Sequence, residues 1–367
     1  MGHRVGWGLG RTAVLCVALF VTGCAGDSGT SGDARTGGRA PVQWTDADHA
    51  AMRAAVVDSA RIWMMDGHIP GLAIACVRDG QIAWIDPLGT IAADSDVPVE
   101  AATVFEAASL GKPLFAWGVL KLVDEGRMVL DAPLGRYLPE RIQGAARDSA
   151  VTIERVLNHT SGLELNEAGD ALTIAFPPGS RWSYSAVGYV MLQRAVENVT
   201  GMGVEAWMQE QVLGPLGMSR TSYLPARRKE PGAATGHDRQ GAKLLETPWP
   251  DANAAASLHT TAEDYAKFVV ASLEEERMWT PRVVADEPHG LSWGLGWGVA
   301  GSQAPVLLHW GSNPGFKSLA MGIPGERRGW VMLTNGDNGL ELATALSSRM
   351  VGRDLPALGF YMLHPDD

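Results

Sequence analysis

Cysteine is nearly absent from this sequence: only Cys16, Cys24 and Cys76 occur among 367 residues. Cys16 lies in an apolar N-terminal segment and Cys24 has its own explanation below, so Cys76 has no cysteine with which to pair. A disulfide framework is therefore excluded. Because Cys76 stands within the apolar run 72–77, we expect it to be a small core residue.

Basic charge and long apolar runs are also scarce. The formal net charge of -11 argues against nucleic acid or an anionic bilayer as the main partner, so we predict no nucleic-acid binding. After the N-terminal segment, no run of about 18 apolar residues occurs, which excludes a bundle of membrane helices. The dispersed histidines include no helical His-x-x-x-His pair, so we predict no metal and no cofactor.

The N-terminus has the features of an export signal. A basic start precedes the apolar run 12–21, which is too short for a comfortable membrane span, so we predict a signal peptide at 1–23. The ending Val21-Thr22-Gly23-Cys24 resembles the bacterial lipobox, where cleavage before the cysteine is coupled to diacylglyceryl transfer onto its thiol. An ordinary signal peptide with an incidental cysteine is the alternative.

The lipobox interpretation predicts an exported bacterial lipoprotein, anchored to a membrane through lipid on Cys24 at the periplasmic or extracellular face. Residues 24–43, rich in Gly, Ser, Asp and Thr, would form a flexible tether.

Helix and strand patterns mark both ends of the folded part. Thr45 is a candidate N-cap for an amphipathic helix over 45–65. Residues 71–78 and 81–85 predict two strands joined by the turn Asp79-Gly80. Near the C-terminus we predict strands at 293–299, 304–309, 318–323 and 330–334, followed by a helix at 340–351.

The middle of the chain has a largely helical pattern. Helices are predicted at 113–125, 152–158, 187–200, 204–212 and 261–273, the last with a capping box from Thr260 to Glu263. We therefore predict an α/β (α+β) fold with one domain at 44–360. An antiparallel sheet flanked by terminal helices forms an α/β lobe at about 44–104 plus 291–360, and an all-helical lobe is inserted at about 105–290.

Ser109 and Lys112 are the first candidates for chemistry. Residues three apart share one face of a helix, so both side chains would point into the same space if Ser109 opens the following helix. A lysine in a dry pocket can lose its proton and then accept one from a serine hydroxyl. The pair therefore predicts an activated serine nucleophile.

Further motifs follow in order along the chain. They are Ser109-Leu110-Gly111-Lys112, Tyr184-Ser185-Ala186 and His309-Trp310-Gly311, with the segment 157–163 between the first two. On these motifs, residues 45–352 resemble the serine β-lactamase and penicillin-binding-protein superfamily, on the side of class C enzymes, D-alanyl-D-alanine carboxypeptidases and related esterases. The resemblance implies a β-lactamase/transpeptidase-like fold and an acyl-enzyme mechanism.

The resemblance also implies a role for each motif residue. Ser109 would be the nucleophile, Lys112 its proton acceptor or electrostatic partner, and Tyr184 a general base and acid whose phenolate is favoured by Lys112. His309 would contact the substrate or a proton, and the backbone N–H groups of Ser109 and Ser312 would form the oxyanion hole. For 158–162 we favour a simple capped helix end.

The resemblance predicts three substrate contacts, at Ala186, Trp310 and Gly311. Two of these three, Ala186 and Trp310, depart from the superfamily pattern. Ala186 stands where asparagine is usual, so the amide that would bind an acylamino group is missing. Trp310 replaces a small hydroxyl residue that would bind a substrate carboxylate.

Recognition of a carboxylate is further weakened because His309 replaces a permanently cationic lysine, although Arg181 or Lys317 could substitute for it. Penicillins and D-alanyl peptides carry that carboxylate, whereas simple esters need not. We therefore expect a serine hydrolase for a small ester or peptide-like acyl substrate, with esters favoured. The alternatives are a D-alanyl-D-alanine carboxypeptidase or β-lactamase and, in another class, a non-catalytic penicillin-binding-like module that binds cell-wall fragments.

Overall fold

The computed structural model describes residues 45–140, 144–169, 171–224, 230–244, 251–301 and 304–364. The predicted signal peptide, the predicted lipidation site Cys24 and the predicted tether lie outside the described residues. The described ranges belong to one compact unit, Gln43–Asp367. No helix in these ranges is long and apolar enough to cross a membrane.

The described ranges contain twelve strands and eight α-helices. The strands are β1 Gly71–Arg78, β2 Gln81–Gly89, β3 Phe105–Ala108, β4 Leu163–Leu165, β5 Leu172–Ile174, β6 Leu258–Thr260, β7 Val283–Asp286, β8 Leu291–Trp293, β9 Gly298–Ala300, β10 Val306–Asn313, β11 Phe316–Ile323 and β12 Arg328–Thr334. The α-helices are α1 Asp46–Asp66, α2 Gly111–Asp124, α3 Ile153–Leu157, α4 Ala186–Thr200, α5 Val204–Met208, α6 Ala262–Ser272, α7 Glu276–Trp279 and α8 Gly339–Val351.

The main sheet has the order β2-β1-β12-β11-β10-β9-β8-β7, and all neighbours are antiparallel. Because β1 lies beside β12, the two ends of the domain meet in the sheet and the middle of the chain is an insertion. Helices α1 and α8 pack together, and their buried side chains share one core cluster with the sheet. The predicted antiparallel sheet with terminal helices is confirmed.

The N-terminal elements form as their residues predict. The Thr45 side chain accepts a hydrogen bond from the Asp48 N–H at 3.2 Å, and the Asp48 carboxylate accepts one from the Thr45 N–H at 2.8 Å. Asp79 and Gly80 have φ values of 53° and 72°, as a two-residue hairpin turn of type I′ requires. Strand β2 continues past the predicted 81–85 and includes Pro87, because an edge strand tolerates a residue without an N–H.

The prediction of an all-helical middle lobe is wrong. Strand β3 pairs with β6, β4 pairs with β5, and β7 belongs to the main sheet, although all five lie within 105–290. Each has only three or four residues, which is too short to show the alternation that identifies a strand in a sequence.

Several boundaries also differ from the predictions, among them that of β10, which ends at Asn313 and not at 309. The strand expected at 293–299 is two strands, because Gly296 has a φ of 109° and the chain turns there, with the Gly294 N–H donating to Trp297 O at 2.9 Å. Helix α6 is capped by Thr261, whose hydroxyl accepts from the Asp264 N–H at 3.1 Å. The Thr260 hydroxyl instead bonds to Thr221, so the N-cap lies one residue later than predicted and the predicted capping box from Thr260 to Glu263 is wrong.

Cys76 is a buried core residue as predicted, with 4% of its surface exposed. Burial raises the pKa of its thiol to about 12, so the thiol stays protonated and unreactive.

Candidate active site

Ser109 and Lys112 lie where β3 turns into α2. Ala108 has a φ of 50°, a left-handed conformation that is costly for a residue with a side chain and turns the chain sharply before Ser109. Helix α2 begins two residues later, at Gly111. The Lys112 Nζ donates to Ser109 Oγ at 3.0 Å, so the structure brings the predicted pair into direct contact.

The Lys112 side chain is fully buried. Its Nζ also donates to the carbonyl oxygen of Ala255 at 2.6 Å, and that oxygen lies 3.3 Å from Ser109 Oγ. No carboxylate pairs with this amine within the described ranges. Burial therefore lowers the pKa of Lys112 from 10.5 to about 7, which makes the neutral, proton-accepting amine abundant near neutral pH.

Tyr184 lies beside this pair, directly before the N-cap of α4. The Lys112 Nζ is 4.7 Å from the centre of the Tyr184 ring, so the amine approaches the face of the ring. Burial raises the pKa of the Tyr184 phenol, and the nearby Ser109 hydroxyl lowers it by less. The expectation that Lys112 favours a phenolate is therefore wrong for the resting site, because Tyr184 is held as a neutral phenol.

The third motif lies on β10, but its side chains are buried. The His309 Nδ1 contacts Trp310 O at 2.9 Å, so this nitrogen carries the proton. Burial and the nearby Lys112 lower the pKa of His309 to about 3, and the ring is neutral. Trp310 is 3% exposed and packs against Tyr184 and Phe360. The structure thus packs the buried rings of His309 and Trp310 against Tyr184, so neither ring lies on an open surface.

Gly311 allows β10 to approach β3. A Cβ atom on Gly311 would lie 2.1 Å from Ala107 O and 2.3 Å from Ser318 Oγ, distances at which atoms clash. Because Gly311 has no side chain, β10 can lie close to β3, the strand that leads to Ser109. Ser312 follows at an exposed position, and its share in an oxyanion hole stays a prediction.

A partly buried network fixes the end of β10. The Asn313 Nδ2 donates to the Glu106 carboxylate and, at 3.0 Å, to Ala256 O. Glu106 lies on β3, three residues before Ser109. Ala256 follows Ala255, whose carbonyl oxygen contacts Lys112. One loop and one carboxylate thus link the nucleophile to the strand end that carries Ser312.

The candidate carboxylate-binding groups are only partly available. Lys317 is 7% exposed and forms an ion pair with Asp337, so its charge is already neutralised. The Arg181 guanidinium lies 4.1 Å from the centre of the Phe176 ring. Ala186 is exposed at the first position of α4, where no amide is offered.

Sequence reasoning missed His159 and the carbonyl of Ala255. The capped end of α3 is confirmed, since Asn158 is the C-cap and its backbone N–H donates to Glu154 O at 2.9 Å. The same segment also brings the His159 ring onto the Tyr184 ring. A backbone carbonyl has no side-chain signal, whereas His159 stood within a segment that resembles the superfamily. In the described part of the chain, no three His, Cys, Asp or Glu side chains form a group that could hold a metal.

The sequence is similar to those of known proteins. A model of the Beta-lactamase family matches residues 46–350. Protein flp of Staphylococcus aureus (strain N315) is 24% identical over 309 residues, which cover 74% of this chain and 61% of flp. Esterase EstB of Burkholderia gladioli is 31% identical over 243 residues, which cover 56% of this chain and 61% of EstB. The chain thus spans 61% of the length of each of these curated relatives.

A solved structure is similar in fold. D-alanine carboxypeptidase AmpC from Burkholderia cenocepacia superposes with a TM-score of 0.72 at 24% identity, over 83% of this chain and 99% of that chain. The predicted β-lactamase/transpeptidase fold is confirmed.

Proposed function

This chain belongs to the Beta-lactamase family, a family of serine hydrolases, and on that premise we propose that it cleaves esters through an acyl-enzyme on Ser109. The observation that carries the proposal is the 3.0 Å contact between Ser109 Oγ and the fully buried Nζ of Lys112. A serine hydroxyl needs a nearby base to become a nucleophile, and a buried amine with a pKa of about 7 provides one.

In the proposed reaction, the Ser109 proton passes to the neutral amine of Lys112 while Oγ attacks the ester carbonyl carbon. The bond from that carbon to the leaving oxygen then breaks. The departing alcohol takes a proton from the Tyr184 phenol, which regains one from the Lys112 ammonium. The acyl group stays on Ser109 until water hydrolyses it, which releases the acid and the free serine.

The preference for esters is supported by what the site offers around the nucleophile. His309 is neutral and buried, and Lys317 is paired with Asp337, so neither presents a free positive charge to a substrate carboxylate. Ala186 provides no amide for an acylamino group. The similarity to an esterase from Burkholderia gladioli points the same way.

Two esters of the same acid test this preference: a benzyl ester and a 3-carboxybenzyl ester, which differ by one charged group. We expect kcat/KM for the neutral ester to equal or exceed that for the charged one. A tenfold preference for the carboxylate-bearing ester would contradict the proposal and favour a D-alanyl-D-alanine carboxypeptidase or β-lactamase.

The substitution Ala186→Asn tests whether the missing amide limits the second candidate function. An added hydrogen bond contributes about 1 kcal/mol, so we expect the rate of acylation by a chromogenic cephalosporin to rise about fivefold. Ala186→Leu is the matched control, since leucine adds similar bulk without an amide and should give no gain. An unchanged rate in Ala186→Asn would show that the amide is not what limits β-lactam recognition.

We also propose that the enzyme is a lipoprotein anchored through Cys24, on the sequence pattern alone. Cells that express the full chain should incorporate radiolabelled palmitate into it, and Cys24→Ala should abolish the label. Cys16→Ala is the control, because it removes a cysteine of the same segment and should leave the label intact. Labelling that persists in Cys24→Ala would overturn the lipid anchor.

A further inference from the structure

His159 contacts three consecutive residues centred on Tyr184. Its backbone carbonyl accepts from the Ser183 N–H at 2.8 Å, and its ring Nδ1 accepts from the Ser185 N–H at 3.1 Å. Its ring also stacks on the Tyr184 ring, with centroids 4.4 Å apart and planes inclined by 29°. One residue therefore holds the backbone on both sides of Tyr184 and one face of its phenol ring.

The conformation of His159 is itself tightly constrained. Its side chain is fully buried, and its φ of 60° is left-handed, which costs free energy for any residue with a side chain. The turn is stabilised because the Asn158 side chain accepts from both the N–H and the hydroxyl of Thr160. A strained position that is held on several sides can in turn fix its neighbours.

The tautomer of His159 follows from these contacts. Because Nδ1 accepts the Ser185 N–H, that nitrogen carries no proton, and the proton of the neutral ring is on Nε2. The Ser183 N–H donates to the backbone carbonyl of His159 and not to its ring. Substitution of the His159 side chain therefore removes the ring contacts with Tyr184 and Ser185 and keeps the carbonyl contact with Ser183.

We propose that His159 is a positioning residue, which fixes the phenol of Tyr184 relative to Ser109 and Lys112 and acts on the reaction only through Tyr184. The inference rests on the proposed function, in which Tyr184 transfers a proton to the leaving group. A displacement of a catalytic group by about 1 Å can cost up to about a hundredfold in rate.

A double-mutant cycle with Tyr184 tests the proposal. The substitution His159→Asn keeps an acceptor near the position of Nδ1 and removes the stacked ring. We expect kcat for the benzyl ester, whose alcohol needs a proton to leave, to fall about tenfold or more, with KM changed less than twofold. In the Tyr184→Phe background the same substitution should change kcat less than twofold, because the group it positions is already gone.

His237→Asn is the control, because His237 is equally buried but contacts Ala93 and Asn335 away from Tyr184. Its effect should be the same in both backgrounds. Equal losses of kcat from His159→Asn with and without the Tyr184 hydroxyl would overturn the proposal, as would a Tyr184→Phe enzyme of normal kcat. If His159→Asn does not fold, the cycle is run with His159→Phe, which keeps a ring and loses the acceptor, and the same outcomes decide.

Failure of the proposed function gives a different result. A wild-type enzyme that forms no acyl-enzyme on Ser109 refutes the hydrolase proposal before any His159 variant is made. An active wild-type enzyme with an additive cycle refutes only the role of His159.

Discussion

Ser109→Ala should lower kcat/KM for a short-chain p-nitrophenyl ester by about 10⁴- to 10⁶-fold. The hydroxyl in contact with Lys112 is then absent, and neither acylation nor an acyl-enzyme is possible. Initial rates at substrate concentrations below KM measure this effect.

Ser348→Ala is the control, since it removes an exposed hydroxyl on α8, outside the site. It should leave kcat/KM unchanged. Hydrolysis at the wild-type rate by Ser109→Ala would show that another group is the nucleophile.

Lys112→Met should lower kcat/KM by about 10²- to 10⁴-fold, the usual contribution of a general base, while keeping the length and apolar packing of the side chain. The pH profile identifies the role. The pKa of Lys112 is about 7, so wild-type kcat/KM should fall tenfold per pH unit below pH 7 and level off above it. This fall in kcat/KM on the acidic side of the pH profile should be missing in Lys112→Met. A fall near pH 7 that survives the substitution would assign the base to another group.

The same substitution should stabilise the fold, which separates loss of chemistry from loss of structure. Lys112 has a pKa of about 7 when folded, against 10.5 as its ordinary value, so between these pH values the unfolded chain binds the extra proton. The free energy of unfolding should therefore rise with pH from about 7 to 10.5 in the wild type. At pH 7 the full difference corresponds to at most about 5 kcal/mol.

Lys112→Met should remove this pH dependence and raise the free energy of unfolding at pH 7. Denaturant titrations of both proteins at pH 7 and pH 10 measure it. Equal stability of the two proteins at pH 7 would contradict a neutral, buried Lys112.

Features that depend on residues close together in the chain could be predicted from the sequence. The spacing of Ser109 and Lys112 predicted their contact, Thr45 predicted the start of α1, and Asp79-Gly80 predicted the hairpin turn. Each depends on residues that are close in the chain, so the periodicity of helices and turns is enough to place them.

Features that depend on burial or on distant partners were not predictable in this way. The neutral state of Tyr184 follows from its enclosure by other elements, and the loss of Lys317 as a free cation follows from its ion pair with Asp337. His159 meets Tyr184 only after the chain has folded back, and its motif suggested no more than a helix end. The short strand β6 formed because β3 pairs with it, against a helical pattern around it.

Intact-protein mass spectrometry after exposure to a fluorophosphonate, and separately to a penicillin, tests the central claim that Ser109 is a competent nucleophile in an ester-selective site. The full chain and its Ser109→Ala variant are compared. We expect one fluorophosphonate adduct on the wild type, none on Ser109→Ala, and at most a trace of penicillin adduct under the same exposure. A penicillin adduct on Ser109 equal in yield to the fluorophosphonate adduct would contradict ester selectivity and favour a penicillin-recognising enzyme. The absence of both adducts would contradict catalysis and favour the non-catalytic cell-wall-binding module.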